Sequence, residues 1–306
     1  MTQVPVYNAA EIFTGEAASI IRLKDGTTWG AGNQYGQLGI GHKNPIATLT
    51  RVPFLDDAKQ IAILYDEVIA LKADGSVWGA GRNLFKILAQ GDAELRATFV
   101  KIPVSNVKQM SGCAGHIIVQ KNNGEVWGWG HNFIGQLGLG DKLDREMPVL
   151  LPTPPAGVKK IFTSGATTFL IDNNGKVWAT GGNGHGQLAT GDFNSRSSFT
   201  PITFFDNKSV DFIIPRTGAT GFKEPNGNTW NVGDNVRGLM GIGSISLPYT
   251  SPVQMPGFQS TMIGGIGQTA YALKPDGTLW AWGANSYGAL GVGKDTTDIS
   301  SPIQLK

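Results

Sequence analysis

Few side chains in this sequence have the type and spacing of nucleophiles, bases or metal ligands. The one cysteine, Cys113, lies in Ser-Gly-Cys-Ala-Gly beside an apolar stretch, a setting more typical of a buried small side chain than of a nucleophile. No Gly-x-Ser-x-Gly elbow occurs. The four histidines, His42, His116, His131 and His185, lack metal-ligand spacing. We therefore predict no catalytic nucleophile, no metal site and no cofactor.

Acidic residues recur beside glycine-rich turns. Asp92, Asp141, Asp192 and Asp295 all lie near such turns, where an aspartate can cap the backbone. The alternative is a pair of carboxylates that converges at the centre of the fold and hydrolyses a glycan. We expect that the protein is not an enzyme.

Gly-x-Gly strings such as Gly128-Trp-Gly130 could in principle cradle a phosphate. That fingerprint needs a preceding strand, a following helix and one copy per site. Related glycine-rich strings recur along this chain and no helical pattern follows them. The strings therefore predict tight turns.

The remaining candidates for function are aromatic and arginine side chains, which dominate binding at protein interfaces. Six segments differ in sequence although their flanks repeat: residues 42–50, 92–99, 141–146, 192–199, 244–249 and 294–300. Within or next to them we predict partner-binding side chains at Phe99, Phe193, Arg196, Phe199 and Tyr249. The alternative for each is packing beneath its loop.

These loops are set in an internal repeat. Six tryptophans recur at intervals of 49 to 52 residues, and each follows an Asp-Gly or Asn-Gly dipeptide at a constant offset. Such dipeptides are the strongest short-range signal for a β-hairpin, and we predict type I′ turns. The repeat tryptophans, which we assign a structural role, are Trp29, Trp78, Trp127, Trp178, Trp230 and Trp280.

Two further features recur in every unit. An asparagine in the glycine-rich stretch can hold a turn through its side chain; these are Asn33, Asn83, Asn132, Asn183, Asn235 and Asn285. A proline then precedes a short apolar segment and is predicted to open a strand; these are Pro53, Pro103, Pro152, Pro201, Pro252 and Pro302. Because Pro5 lies 48 residues before Pro53, we count seven proline strands for six tryptophan units.

A unit of about 50 residues with four short strands cannot bury its own face, and radial packing of such units gives a propeller. We predict an all-β, six-bladed β-propeller that forms one domain over residues 1–306 and is closed by N- and C-terminal strands. Either the Pro5 or the Pro302 strand could complete the closing blade, and the spare strand could mediate assembly. The units are roughly 5–52, 53–102, 103–151, 152–200, 201–251 and 252–306.

Composition and charge argue against a nucleic acid as the partner and against insertion into a membrane. Charged residues make up 16% of the chain and the net charge is +2, with no block of like charges, so we do not expect a nucleic-acid partner. No apolar run is long enough to predict insertion into a membrane. The first residues lack the pattern of a secretion signal, so we expect the protein in the cytoplasm or in a virion.

The fullest copy of the repeat, Asn123 to Gly140, reads Asn-Gly-x-x-Trp-x-x-Gly-x-Asn-x-x-Gly-Gln-Leu-Gly-x-Gly. It resembles the regulator of chromosome condensation repeat family, and the resemblance covers almost the whole chain. It implies a β-propeller of four-stranded blades. The founding member is a chromatin-bound guanine-nucleotide exchange factor for a small GTPase, with seven blades, a wedge loop and a basic tail.

Departures from that pattern shape the hypothesis for function. The founding member has seven blades and an inserted wedge loop, whereas this chain has six units without a long insertion. Nucleotide exchange, or another regulation of a small GTPase, is therefore the alternative hypothesis and not the main one. The main hypothesis is a binding scaffold that recognises a protein or a surface glycan through one loop face, with a phage virion or tail component as one setting. The second and fifth units depart most from the motif, and we expect their sheets to be the least regular.

Overall fold

The structure is a computed structural model that describes residues 8–15, 17–113, 115–154, 156–216, 218–259, 262–264, 267–293 and 296–305. Within these ranges the chain forms 24 β-strands in six four-stranded antiparallel sheets, as the repeat predicted. Its helices in these ranges are short 3-10 turns at Pro53–Leu55, Thr203–Phe205 and Ser286–Gly288. In the part of the chain described, no helix has the length and apolar character needed to cross a membrane.

The chain divides into two compact units by its internal contacts. Unit 1 comprises Met1–Asn132 with Leu143–Leu151, and unit 2 comprises Phe133–Lys142 with Pro152–Lys306. Each unit contains three complete sheets, each made of four consecutive strands.

Unit 1 contains the first three sheets. Their strands are β1 Ala9–Thr14, β2 Ala18–Leu23, β3 Thr28–Gly32, β4 Ile46–Arg51; β5 Ala58–Ile63, β6 Glu67–Lys72, β7 Val77–Gly81, β8 Arg96–Lys101; and β9 Val107–Cys113, β10 His116–Lys121, β11 Val126–Gly130, β12 Arg145–Leu150.

Unit 2 contains the other three sheets. Their strands are β13 Val158–Ser164, β14 Thr167–Asp172, β15 Val177–Gly181, β16 Arg196–Pro201; β17 Phe212–Pro215, β18 Ala219–Lys223, β19 Asn228–Gly233, β20 Tyr249–Gln259; and β21 Met262–Gly264, β22 Thr269–Leu273, β23 Leu279–Gly283, β24 Ile299–Gln304.

The predicted hairpins join the second and third strands of every sheet, but their turns are not of type I′. In the first hairpin the N–H of Gly26 donates to Leu23 O (3.0 Å), and Gly26 has a φ of +84° whereas Asp25 stays outside the left-handed region. This is a type I turn followed by a glycine bulge. The aspartate acts through its side chain instead, because Asp25 Oδ1 accepts the N–H of Thr27 (2.8 Å).

The prolines do not occupy equivalent positions, so the prediction that each one opens a strand is wrong. Pro53 and Pro103 follow the fourth strand of their sheets, Pro201 ends β16, and Pro252 and Pro302 lie inside β20 and β24. Their spacing therefore does not count strands. The strand of Pro302 completes the sixth sheet, and no sheet among the described residues combines strands from both ends of the chain. Pro5 lies outside the described residues.

The second strand of each sheet supplies much of the core. All six residues of β6 and all six of β14 are buried. Apolar clusters form between sheets within each unit, and the cluster around Leu88, Ile102 and Trp129 draws on the second and third sheets. Burial of these side chains against neighbouring sheets explains why one repeat could not fold alone.

The second sheet is as complete as the others, contrary to expectation. Lys86 and Ala89 take the places of turn glycines and adopt their left-handed conformation, with φ of +54° and +52°. Ile87 stands where three other units have glutamine, and its carbonyl oxygen accepts the indole N–H of Trp129 in the next sheet (2.7 Å). The contact with Trp129 of the next repeat therefore holds this turn in place although its sequence departs from the Gly-Gln-Leu-Gly motif.

In the fifth sheet a change on the second strand is matched by a change on the third strand. Three other sheets pair isoleucine with glycine across the second and third strands, as in Ile69 opposite Gly79. In the fifth sheet Gly221 lies opposite Asn231, so the larger side chain has moved to the third strand. The four strands form although the segment from Arg216 to Pro225 is poor in apolar residues.

Candidate partner-binding surface

The asparagine of each repeat fixes a tight turn after the third strand. Asn183 is fully buried; its Oδ1 accepts the N–H of Leu188 (2.9 Å) and its Nδ2 donates to Asp192 O (2.8 Å). Asn33, Asn83 and Asn235 make the same pair of bonds. One buried amide thus ties the turn to the variable loop that follows it, and both segments are held in one conformation.

We call the two residues after each of these asparagines the turn tip. The tips are residues 34–35, 84–85, 133–134, 184–185, 236–237 and 286–287. Five large apolar side chains on them are exposed: Leu84, Phe85, Phe133, Val236 and Tyr287. Sequence analysis missed them, although two variable positions inside an Asn-x-x-Gly motif that five of the six units keep were a usable signal.

In unit 1 the tip residues Tyr35 and Phe85 each contact the residue that precedes the asparagine of the next repeat. The Arg82 guanidinium lies 4.8 Å from the centre of the Tyr35 ring and pairs with Asp66 (3.2 Å). The ring of Phe85 meets that of His131 edge to face, with 4.0 Å between centroids. These contacts leave Phe85 partly exposed but well oriented.

In unit 2 the fifth and sixth tips form the most exposed apolar group. The backbone N–H of Ser246 donates to Asn235 O (3.3 Å), which ties the loop that carries Ile245 and Leu247 to the turn that carries Val236. Arg237 bonds to Asp298 through Nε and Nη2 (2.8 and 3.0 Å) and also donates to Ser286, the neighbour of Tyr287. We call Val236, Ile245, Leu247 and Tyr287 the Tyr287 patch.

Exposure within this patch is unusually high. The Leu247 side chain is 83% exposed, and Tyr287 is as exposed as in an extended chain, at 103%. Tyr287 also has a φ of +60°, which is unfavourable for an aromatic residue. The surrounding bonds therefore keep a fully solvated ring in a strained turn.

Two of the predicted contact residues pack inside the molecule. Phe99 is only 9% exposed and stacks on Phe54, with 4.4 Å between centroids. Its ring lies so close to Gly39 that a Cβ there would be 2.3 Å away. Phe199 is half-buried and covers Gly138 in the same manner. Phe99 therefore follows the alternative of packing beneath its loop, since the glycine of a neighbouring turn makes room for the ring.

The other three predicted residues are in different situations. Arg196 pairs with Asp192 (2.8 Å), and this bond lowers the pKa of Asp192 to about 2, so Arg196 fixes its own loop. Tyr249 is half-buried at the start of β20. Phe193 is exposed and stays a candidate contact, as does Phe133 in the same unit.

The six repeat tryptophans hold one position in the third strand of each sheet and are half-buried. Most of their indole N–H groups donate to a side chain of the preceding turn, as Trp78 does to Ser76 Oγ (2.9 Å). In five of the sheets a basic group also lies over the indole, at 3.9 Å for Lys121 over Trp127. These contacts give the recurring tryptophan a structural role in the sheets.

Potential reactive groups do not come together. Among the described residues no three His, Cys, Asp or Glu side chains are grouped closely enough to hold a metal ion. His116 is buried, and burial lowers its pKa to about 4. Asp295 lies outside the described residues.

Glu67 gives a test of the turn architecture by pH. Its Oε1 accepts the N–H of Asn83 (3.0 Å), and burial raises its pKa to about 7. The folded protein therefore binds this proton more tightly than the unfolded chain does, and the stabilisation present at low pH is lost as pH rises from about 4.5 through 7. Denaturant unfolding at a series of pH values should show that loss for the parent protein and a flatter profile for Glu67→Gln.

The difference between parent and variant isolates Glu67, because His116 titrates with the opposite sign in an overlapping range. The matched control is Glu94→Gln, at an exposed carboxylate of the same sheet. Parallel profiles for the parent and Glu67→Gln would contradict the buried role of Glu67.

Parts of the chain match known families. Residues 123–171 and 276–306 match the model for the regulator of chromosome condensation (RCC1) repeat, and residues 158–187 match a second model of the same description. The X-linked retinitis pigmentosa GTPase regulators of Canis lupus familiaris and Homo sapiens are each 31% identical over 80 residues. That stretch is 26% of this chain and 8% of each regulator.

Solved structures share the fold at low sequence identity. Human WBSCR16 matches with a TM-score of 0.84 and 20% identity over 97% of this chain and 81% of that one. Yeast RCC1 (Prp20), in its complex with Kap60, matches with 0.86 and 19% over 97% and 74%. Saccharomyces cerevisiae Prp20p, described with its binding to Gsp1p and histones, matches with 0.85 and 18% over 97% and 76%. The chain is thus a β-propeller of six four-stranded blades, and residues 123–187 and 276–306 of it match RCC1 repeat models.

Proposed function

We propose that this protein is a binding scaffold that recognises a protein partner through its turn tips, with the Tyr287 patch as the main contact. The observation that carries the proposal is the near-complete exposure of Leu247 and Tyr287 on a backbone fixed by buried bonds. Removing apolar surface from water is favourable at about 25 cal/mol per Å². A rigid patch also loses little conformational entropy when a partner covers it.

Relatives support a protein as the partner class. Prp20 was solved with Kap60 bound, and Prp20p was characterised for binding to Gsp1p and histones. Those partners belong to those proteins, and they support protein recognition as a use of this fold. The composition of the tips, rich in tyrosine and phenylalanine, agrees with it.

The test is partner capture with patch variants. We expect the triple variant Val236→Ser, Leu247→Ser and Tyr287→Ser to lose at least tenfold in affinity for the partner captured by the parent protein, because hot-spot truncations typically cost more than about 1.4 kcal/mol. The matched control is Leu279→Ser, an exposed leucine at the opposite end of the strand that leads to Tyr287. Equal affinity for the parent and the triple variant would contradict the proposal.

Regulation of a small GTPase is the second candidate, favoured by the partial match to the two GTPase regulators. The discriminating assay is nucleotide release from a panel of purified small GTPases. The scaffold proposal predicts no acceleration by catalytic amounts of this protein. Acceleration under those conditions would replace it with an exchange function.

Other parts of the initial hypothesis remain expectations within this proposal. A surface glycan is a second ligand class that exposed aromatic rings accommodate, and a glycan array tests it directly. The absence of catalysis and a setting in the cytoplasm or a virion are likewise expected. Fractionation of the native source addresses the setting.

A further inference from the structure

Arg216 is a buried cation whose guanidinium lacks partners among the described residues. It is 4% exposed, and its Nε and Nη2 are buried without a hydrogen-bond acceptor. Six other arginines each pair with a carboxylate: Arg22, Arg51, Arg82, Arg96, Arg196 and Arg237. All six are more exposed than Arg216, so the most buried guanidinium is the one that most needs a counter-charge.

The position that corresponds to Arg216 is uncharged in the first two sheets. Its backbone N–H donates to Ala219 O (2.8 Å) at the turn between β17 and β18. Leu64 makes the corresponding bond to Glu67 O (2.9 Å) in the second sheet and is a core residue there. In the first sheet Gly15 takes this place. The guanidinium of Arg216 thus belongs to a position that holds glycine in the first sheet and leucine in the second.

Apolar core residues flank Arg216 along the chain in unit 2. Ile214, two residues earlier on the same side of the strand, and Ala219 both belong to a cluster of buried residues that includes Leu239 and Trp282. Burial lowers the pKa of Arg216 to about 10, and no carboxylate contributes. The side chain is therefore still protonated at neutral pH.

A buried, protonated guanidinium without a counter-charge is strongly unfavourable. Water could satisfy its N–H groups but would not neutralise it. We propose that Arg216 binds a small monovalent anion of the halide class inside unit 2, through its Nε and Nη2 N–H groups.

Because the Arg216 guanidinium is buried, it favours an anion that is small and that loses its hydration water readily. A halide ion loses its water more readily than phosphate or sulfate does, and it accepts hydrogen bonds from any direction. A group that is 4% exposed leaves no route for the carboxylate of a folded partner. The site is therefore a structural one, independent of the Tyr287 patch.

The first test measures thermal and denaturant unfolding of the full chain in sodium gluconate, chloride and bromide at constant ionic strength. Because the anion binds the folded state, the folding equilibrium constant of the parent should rise about tenfold for each tenfold increase in halide above the dissociation constant. Arg216→Met should abolish this dependence, whereas the control Arg96→Met, at an arginine paired with Asp92, should keep it. Equal halide dependence in the parent and Arg216→Met would overturn the proposal.

The second test covers the case in which Arg216→Met does not fold. Crystals of the parent protein grown in sodium bromide should give an anomalous peak within hydrogen-bond reach of Nε and Nη2 of Arg216. A side-chain carboxylate or a water without anomalous signal at that point would overturn the proposal. Neither outcome depends on the partner of the Tyr287 patch, so the two proposals fail separately.

Discussion

Gly181→Ala is expected to destabilise the protein by more than about 4 kcal/mol, enough to unfold many domains. Gly181 ends β15 with a φ of +103°, and a Cβ there would lie 2.1 Å from Ala166 O and 3.0 Å from Thr167 Cα. Both atoms belong to backbone at the start of β14, so neither can rotate away. Urea unfolding followed by tryptophan fluorescence measures the loss, or soluble yield if the variant does not fold.

Gly175→Ala is the matched control within the same sheet. Gly175 also has a positive φ, +84°, but a Cβ there would meet nothing within 4 Å. It should lose only about 1 kcal/mol, the cost of a left-handed conformation for alanine. A similar loss for both variants would show that φ alone, and not the close approach of two strands, requires glycine at position 181.

Trp129→Ala is expected to lose about 3–5 kcal/mol of unfolding free energy. The indole is fully buried, and its N–H donates to Ile87 O in the turn of the preceding sheet (2.7 Å). Truncation removes a large apolar side chain and leaves the Ile87 carbonyl buried without this donor. Chemical denaturation of both proteins at one pH gives the difference.

Trp129→Phe separates the hydrogen bond from the packing, and Trp127→Ala is the control in the same strand. Trp127 is half-buried, so its truncation should cost clearly less than that of Trp129. An equal loss at the two positions would contradict a special role for the contact between sheets.

The hairpins and the sheet count follow from local sequence, because a turn dipeptide and the tryptophan three residues after its glycine report on neighbouring residues only. The turn type did not follow, since the loop length that selects it depends on where strand pairing stops. The prolines misled for a related reason. Their spacing is regular along the chain, yet Pro53, Pro201 and Pro302 occupy three different positions relative to the fourth strand.

The candidate surface was only half visible in the sequence. The asparagines that hold the turns were identified, but Phe99 was assigned to the surface because its packing partner, Gly39, lies 60 residues away in another sheet. The departure of Ile87 from the motif likewise makes sense only beside Trp129 of the next sheet. Pairings between repeats of this kind are set by packing, and a motif compared one repeat at a time does not show them.

Site-specific photo-crosslinking tests the central claim most directly. A photoreactive benzoylphenylalanine is placed at position 287 in one variant and at position 279 in the other, and each is irradiated in the native source. We predict one dominant protein adduct from position 287 and none of that mass from position 279. Adducts from position 279 alone, or the same adduct from both positions, would contradict recognition through the turn tips.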